Sequence, residues 1–145
     1  MAIALRPTGF EPYAELLSHQ AGQAALSGQY GATCAFVGTM RDFNEGDTVR
    51  AMTLEYYPGM TEKHLERIVD EARQRWDFLD ALVIHRVGDI LPDQPIVLVA
   101  IWSSHRGAAF EACRYIMEEL KHRAPFWKKE ALVQGERWVA RNTEA

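Results

Sequence analysis

The seven residues Ile96 to Trp102 (IVLVAIW) are all apolar, and this run constrains the fold more than any other part of the chain. It is far too short to cross a membrane as a helix, and it is rich in the residue types that favour strands. Because it has no polar side, it predicts a strand at the centre of a sheet. Ala81 to Val87 has the pattern of a neighbouring strand, and the Gly88 to Pro95 connection is short enough to be a hairpin loop.

Hydrophobic periodicity predicts further elements on both sides of this pair. The other predicted strands are Ala2 to Arg6, Gly31 to Met40, Arg50 to Tyr57, a strand from Phe126 to about Val133, and Arg137 to Val139. Three helices are predicted: a short one over Pro12 to His19, a second that ends at Trp76, and a third from about His105 to Arg123. Thr61 is suited to be the N-cap of the second helix.

The length and charge of the chain limit its class. With 145 residues, 48% of them hydrophobic, residues 1–145 are expected to form a single domain with its own core. There is neither a run of about 18 apolar residues nor the apolar core of a secretion signal, so we expect a cytoplasmic protein without membrane contact. The net charge is -4, while basic residues concentrate near the end of the sequence. This distribution argues against general nucleic-acid binding and for one local anion site.

The stretch Leu120 to Glu130 (LKHRAPFWKKE) is the strongest candidate for that site, because five basic side chains surround Pro125 and two aromatic residues. The proline disfavours helix in the residue before it, so the helix ends here and the chain leaves in extended form. The bend can bring Lys121 and Lys128 together, where repulsion and burial would lower the pKa of each amine. The alternative is a solvated cluster that only complements the helix dipole.

The start of the same helix, Ser103 to Arg106 (SSHR), is a second candidate. A serine is expected to cap this helix, whose N–H groups and positive dipole end attract anions, and His105 and Arg106 would add donors suited to phosphate. The alternative is an ordinary capped helix with two exposed polar residues. Arg41 stands at the end of the strand that begins at Gly31, beside a turn-rich loop of the kind that carries functional residues.

Several motifs of other enzyme classes do not occur. Neither GxxxxGK[ST] nor GxGxxG is present, so nucleotide binding in those modes lacks support. The five histidines, including His85 on a predicted strand, have no paired spacing, and no metal site is predicted. Without GxSxG or a cysteine beside a credible base, the chemistry would have to use lysines, arginines and a reagent from outside.

Five segments of the sequence occur in the same order in one known family. They are FVGTMRDFNEGDTV, LEYYPGMTEKHLERIVDEARQRW, VIHRVG, SSHRGAAFEACRYIMEELKHRAPFWKKE and ERWV. Together, over residues 31–139, they resemble the large, catalytic subunits of molybdopterin synthase. The resemblance implies an α+β fold of the α/β-hammerhead type, with a mostly antiparallel sheet, two main helices and a short N-terminal helix.

The same resemblance implies a sulfurtransferase of molybdenum cofactor biosynthesis. Such a subunit forms a homodimer with a small ubiquitin-like subunit on each side, giving a heterotetramer. The thiocarboxylated C-terminal glycine of the small subunit would enter the pocket and donate sulfur to cyclic pyranopterin monophosphate, which yields the dithiolene of molybdopterin. Because the sulfur arrives on the small subunit, no metal and no cofactor are expected.

By position, the resemblance implies that Lys121 and Lys128 are the catalytic lysines. It implies a substrate pocket formed by Thr39, Met40, Arg41, His105, Arg106, Lys121, Lys128, Lys129 and Glu130. His105 and Lys121 are sixteen residues apart in one predicted helix, which corresponds to about 24 Å. One pterin does not easily touch both, so we hypothesise a composite pocket to which the second chain of a homodimer supplies His105 and Arg106.

Two other interpretations are open at this point. A different transferase for an anionic substrate could use the same scaffold, since a fold alone does not determine function. A non-catalytic adaptor could instead hold the extended C-terminal tail of a partner in a groove formed by Phe126, Trp127 and the basic cluster. Formation of a dithiolene from the thiocarboxylated partner and the pterin distinguishes the enzyme from the adaptor.

Overall fold

The computed structural model describes residues 1–133 and 135–139. Within these ranges the chain forms nine strands and three α-helices, with one short 3-10 helix at Ala24–Leu26. In chain order the elements are β1 (Ala2–Arg6), α1 (Pro12–Ala21), β2 (Ala32–Thr39), β3 (Phe43–Asn44), β4 (Asp47–Tyr56), α2 (Met60–Arg75), β5 (Asp80–Arg86), β6 (Gly88–Ile90), β7 (Pro95–Ser103), α3 (Arg106–Arg123), β8 (Phe126–Leu132) and β9 (Gly135–Trp138).

The apolar run lies at the centre of the first sheet, whose strand order is β1-β5-β7-β2. β7 pairs antiparallel with β5 and with β2, and its residues from Val97 onward are buried. β1 runs parallel to β5, with Ala2 beside Leu82. The central position predicted for Ile96 to Trp102 is therefore confirmed, while β2 is an edge strand that leaves Phe36 exposed.

Helices cover both faces of the first sheet. α2 and α3 pack on one face, in a core that includes Leu65, Val99 and Ile116. On the other face Trp102 is completely buried, and its Nε1 donates a hydrogen bond of 3.1 Å to Gln20 Oε1 in α1. Within the described residues, no helix is both long and apolar enough to cross a membrane.

A buried carboxylate fastens α1 to the first sheet. Asp80, at the start of β5, lies 2.7 Å from His19 Nε2 of α1, accepts a hydrogen bond of 2.7 Å from Gln23 Nε2 and forms an ion pair of 2.9 Å with the amine of Met1. Burial alone would raise the pKa of Asp80, but the donors outweigh it and lower the pKa to about 2.

The second sheet has the order β3-β4-β8-β9, and β6 pairs with β4 as well. All of its pairings are antiparallel, so the expected α+β fold with a mostly antiparallel arrangement is confirmed, although the strands divide into two sheets. The predicted hairpin loop from Gly88 to Pro95 is more than a loop, because its first residues form β6. Ile96 and Phe126 pack against the cores of both sheets and join them.

Both long helices begin differently from the sequence prediction. Gly59, not Thr61, is the N-cap of α2, and its N–H donates to Glu62 Oε2 over 3.0 Å. The buried hydroxyl of Thr61 instead accepts a bond from Tyr57 N–H and donates to the carbonyl of Pro125. In α3 the N-cap is His105, without a side-chain cap, because the hydroxyl of Ser103 donates to the carbonyl of His105.

Candidate active site

The site is built where α3 turns into β8. α3 ends at Arg123, and Ala124 has extended backbone angles (φ -68°, ψ 134°), as the following proline requires. The Thr61 hydroxyl, 3.2 Å from the carbonyl oxygen of Pro125, ties this bend to the start of α2. The predicted end of the helix is confirmed, and the bend directs Lys121 of α3 and Lys128 of β8 into the same cavity.

Two cavities adjoin at this pair of lysines. The first, which we call the lysine cavity, has a volume of about 100 Å³ and is lined by Thr39, Met40, Arg41, Phe43, Asn44, Met52, Ile96, Lys121, Lys128, Glu130 and Val139. The second, which we call the apolar cavity, has a volume of about 310 Å³ and is lined by Phe36, Val37, Gly38, Thr39, Leu54, His85, Ile96, Val97, Met117, Leu120, Lys121, Ala124, Phe126 and Lys128. The lysines therefore lie between a cavity that Arg41, Glu130 and Asn44 also line and a cavity whose other lining residues are mostly apolar.

The environment of the two lysines favours a neutral amine. Burial, followed by the charge of Lys121, lowers the pKa of Lys128 from 10.5 to about 8. Burial also lowers the pKa of Lys121, while a hydrogen bond with Lys128 acts in the opposite direction. These effects fit an arrangement in which the ammonium of Lys121 donates to the amine of Lys128, so Lys128 is the more readily deprotonated of the two.

His85 belongs to the wall of the apolar cavity, although its position on a strand indicated only a structural histidine. Its ring stacks on Phe126 with centroids 4.2 Å apart, and Nδ1 lies 2.8 Å from the carbonyl oxygen of Arg86. Burial is the main cause that lowers the pKa of His85 to about 4, and the charges of Lys128 and Lys121 contribute to this lowering. A neutral ring therefore lies beside the lysine pair without adding a third positive charge.

Arg41 and Glu130 bring further charge to the lysine cavity. The Arg41 guanidinium lies 4.8 Å from the centre of the Phe43 ring, and its charge contributes to lowering the pKa of both lysines. Glu130 is buried, and the amide of Asn44 donates to its two oxygens over 3.2 and 3.1 Å. Phe43 and Asn44 were not predicted as site residues, because a turn-rich loop does not reveal which of its side chains face inward.

Lys129, which the resemblance assigns to the substrate pocket, lines neither cavity of its own chain. Successive side chains of a strand point to opposite faces, so Lys128 and Glu130 face the lysine cavity and Lys129 faces away from it. Its Nζ forms an ion pair of 2.9 Å with Glu136 and lies 5.8 Å from the centre of the Trp138 ring. Hydrogen bonding to Glu136 raises the pKa of Lys129, which keeps this amine charged.

The structure places His105 and Arg106 at the opposite end of α3, where both are exposed. Neither residue lines the lysine cavity or the apolar cavity. One chain therefore brings together Thr39, Met40, Arg41, Lys121, Lys128 and Glu130, and it keeps His105 and Arg106 apart from them. In residues 1–133 and 135–139, no group of three or more His, Cys, Asp and Glu side chains is placed to hold a metal ion.

The fold and the site define a class: an α+β protein whose pocket combines cations suited to an anionic ligand with a lysine of lowered pKa. The family described as MoaE protein matches residues 13–123, and the chain belongs to this family. The match begins within α1, earlier than residue 31, where the resemblance begins.

Individual relatives agree with this assignment. A protein of Ralstonia nicotianae named molybdopterin synthase catalytic subunit is 55% identical over 137 residues, which cover 94% of this chain and 76% of the relative. The solved structure of a molybdopterin biosynthesis MoaE protein from Burkholderia ambifaria is similar with a TM-score of 0.79 and 46% identity, over 99% of this chain and 93% of that one. A molybdopterin synthase structure from Staphylococcus aureus has a TM-score of 0.81 at 28% identity, covering 94% and 95%.

Proposed function

We propose that this chain is the catalytic subunit of a molybdopterin synthase. In this proposal it is a sulfurtransferase that converts cyclic pyranopterin monophosphate into molybdopterin. The sulfur comes from the thiocarboxylated C-terminal glycine of a small ubiquitin-like subunit, and the reaction uses no other cofactor. The observation that carries the proposal is the lysine pair at the junction of two cavities, in a chain that belongs to the MoaE family.

The residues of the lysine cavity suit the charge changes of this reaction. Arg41 and Lys121 supply positive charge that stabilises an anionic substrate and the negative charge that develops as the thiocarboxylate sulfur attacks the pterin. Water then cleaves the bond between the glycine carbonyl and the sulfur, so the sulfur stays on the pterin and the small subunit leaves with an ordinary carboxylate. The pKa of Lys128, about 8, lies close to neutral pH, so its amine is suited both to accept and to return a proton. Thr39 and Met40 border the same space and limit where the ring can lie.

The two adjoining cavities suit two reactants. An extended tail that ends in glycine and a small phosphorylated ring have to meet at one point for sulfur to pass between them. The lysine cavity and the apolar cavity share Thr39, Ile96, Lys121 and Lys128, so ligands in the two spaces would meet at the lysines. In this proposal the proton-transfer groups lie next to the point where the carbon–sulfur bond forms.

The proposal includes a homodimer with composite pockets. α3 has 18 residues, from Arg106 to Arg123, so its two ends are about 27 Å apart. His105 and Arg106 are able to bind the anionic part of the same substrate only if they come from the second chain. A cytoplasmic location remains a prediction from the sequence.

Reconstitution tests the proposed function. The chain is mixed with a thiocarboxylated small subunit and cyclic pyranopterin monophosphate, and dithiolene formation is measured along with binding of the small subunit. We expect the wild-type chain to form the dithiolene and Lys121→Ala to bind the small subunit without forming it. A wild-type chain that binds the small subunit but never forms dithiolene would be an adaptor. Normal turnover by Lys121→Ala would contradict the assigned role of this lysine.

A further inference from the structure

The guanidinium of Arg137 connects the β3–β4 hairpin to β8, the strand that lies between β4 and β9 in the second sheet. Arg137 of β9 donates from Nε to Glu130 Oε1 over 2.9 Å, from Nη1 to Asp47 Oδ2 over 2.7 Å and from Nη2 to the carbonyl of Asn44 over 2.9 Å. Its Nη1 also lies 3.6 Å from Glu45 Oε2. Nothing in the proposed chemistry uses Arg137, yet it contacts residues on both sides of the lysine cavity.

The hairpin that Arg137 holds forms one wall of this cavity. Its turn, at Glu45 and Gly46, has positive φ at both residues (52° and 82°), as in the primed turns of two-residue hairpins. Phe43 and Asn44 line the cavity, and Arg41 lies against the Phe43 ring. A two-residue strand such as β3 has few backbone bonds of its own, so side-chain contacts have to fix its position.

Arg137 also contacts the carboxylate of Glu130, a residue of the lysine cavity. The Glu130 carboxylate is buried and lines the lysine cavity, where its charge acts to raise the pKa of Lys128. Its contacts are nevertheless with Arg137 and with Asn44, and among residues 1–133 and 135–139 it forms no ion pair with Lys128 or Lys121. The Nε–H of Arg137 and the amide of Asn44 thus hold the carboxylate at the hairpin side, the guanidinium through one charge-assisted bond and the amide through both oxygens.

We propose that Arg137 is a positioning residue that keeps the Glu130 carboxylate bound to the β3–β4 hairpin and away from the amine of Lys128. If Arg137 is lost, the buried Glu130 carboxylate keeps only the neutral amide of Asn44 as a partner. An ion pair with Lys121 or with a protonated Lys128 then becomes the best way to compensate its charge. A carboxylate close to Lys128 stabilises the ammonium form of this side chain, so less of the neutral amine is present at a given pH. Only the effect on turnover rests on the proposed function; the effect on Lys128 itself does not.

The test is a titration of Lys128 by NMR, with ¹³C at lysine Cε and the signal assigned through Lys128→Arg. It needs neither substrate nor small subunit. In Arg137→Gln we expect the pKa of Lys128 to rise by about one unit or more, as an opposite charge at close range produces. In Arg137→Lys, which keeps the positive charge, the rise should be smaller. Arg6→Gln is the matched control, because it breaks another Arg–Glu pair, at 2.8 Å, on β1.

A double variant tests the cause of the shift. Glu130→Gln with Arg137→Gln removes both charges, so the pKa of Lys128 should not rise above the wild-type value. This variant leaves no unpaired buried charge, and it remains informative if Arg137→Gln alone does not fold. A folded Arg137→Gln with an unchanged Lys128 pKa would overturn the inference, as would a double variant with the same rise as the single one.

Turnover separates this inference from the proposed function. If the wild-type chain forms dithiolene, the pH at which Arg137→Gln reaches half of its maximal rate should rise together with the pKa of Lys128. If no chain forms dithiolene while Lys128 still shifts, the proposed function fails and the positioning role stands. If the wild-type chain is active and Lys128 does not shift, the positioning role fails alone.

Discussion

Lys128 and Lys129 are neighbours in the sequence with opposite surroundings, and the period of a strand causes the difference. Burial and Lys121 lower the pKa of Lys128 to about 8, whereas Glu136 raises the pKa of Lys129. The lowered value has an energetic consequence for the folded chain. Between pH 8 and the ordinary value of 10.5, the unfolded chain binds more protons at Lys128, so stability rises with pH in this window.

Lys128→Met should therefore stabilise the chain while abolishing sulfur transfer. We expect the free energy of unfolding at pH 7 to increase on the order of 2 kcal/mol, since one pKa unit corresponds to about 1.4 kcal/mol and the cavity is partly open to solvent. The gain should be complete below pH 8 and shrink as the pH rises towards 10.5. Urea unfolding at several pH values measures it.

Lys129→Met is the matched control for this substitution. The ion pair between Lys129 and Glu136 is at the surface, where such pairs contribute little to stability. We therefore expect Lys129→Met to change neither the free energy of unfolding nor the rate of sulfur transfer by much. If Lys128→Met lost stability at pH 7, or if its effect did not depend on pH, the cavity would not be depressing the pKa of Lys128.

At the scale of elements, the site depends on how α3, β8 and the β3–β4 hairpin are joined. The bend at Pro125 was predictable, because proline restricts its predecessor whatever surrounds it. The hairpin was expected only as a loop, since its two-residue strand lacks a hydrophobic period. Arg137 and Asp47 are 90 residues apart, and no local pattern reveals such a contact. His85 was missed for a similar reason: a buried strand position does not show what lies opposite the ring.

The attachment of α1 to the first sheet also depends on contacts distant in sequence. Asp80→Asn should lower the free energy of unfolding by about 2 kcal/mol near neutral pH, because it removes a carboxylate that is held ionised by close donors. The contribution of Asp80 is present above its ordinary pKa of 3.8 and is lost as the pH falls towards 2. The difference between wild type and Asp80→Asn should therefore disappear in acid.

Thermal or urea unfolding measures this loss, and hydrogen exchange locates it. Amide protons of α1 should exchange faster in Asp80→Asn, while those of α3 should change less. Equal stability of the two proteins at pH 7 would show that Asp80 does not fasten α1.

At the scale of the whole molecule, α3 carries a cationic group at each end, and one chain cannot bring the two together. The sequence predicted both ends, since helix termini and basic residues are local features. It also predicted the distance between them, because the rise of a helix is fixed. How two chains would be arranged was not predictable in the same way, since a dimer interface has no short sequence pattern.

The central claim is that each pocket uses Lys121 and Lys128 of one chain with His105 and Arg106 of the other. Two differently tagged chains, one with Lys121→Ala and the other with His105→Ala and Arg106→Ala, are co-expressed and purified through both tags. Dithiolene formation is then measured with the thiocarboxylated small subunit. Composite pockets predict about half of the wild-type turnover per dimer, because one of two equivalent pockets is complete. Turnover no higher than that of either variant alone, or failure of the two chains to co-purify, would contradict the claim.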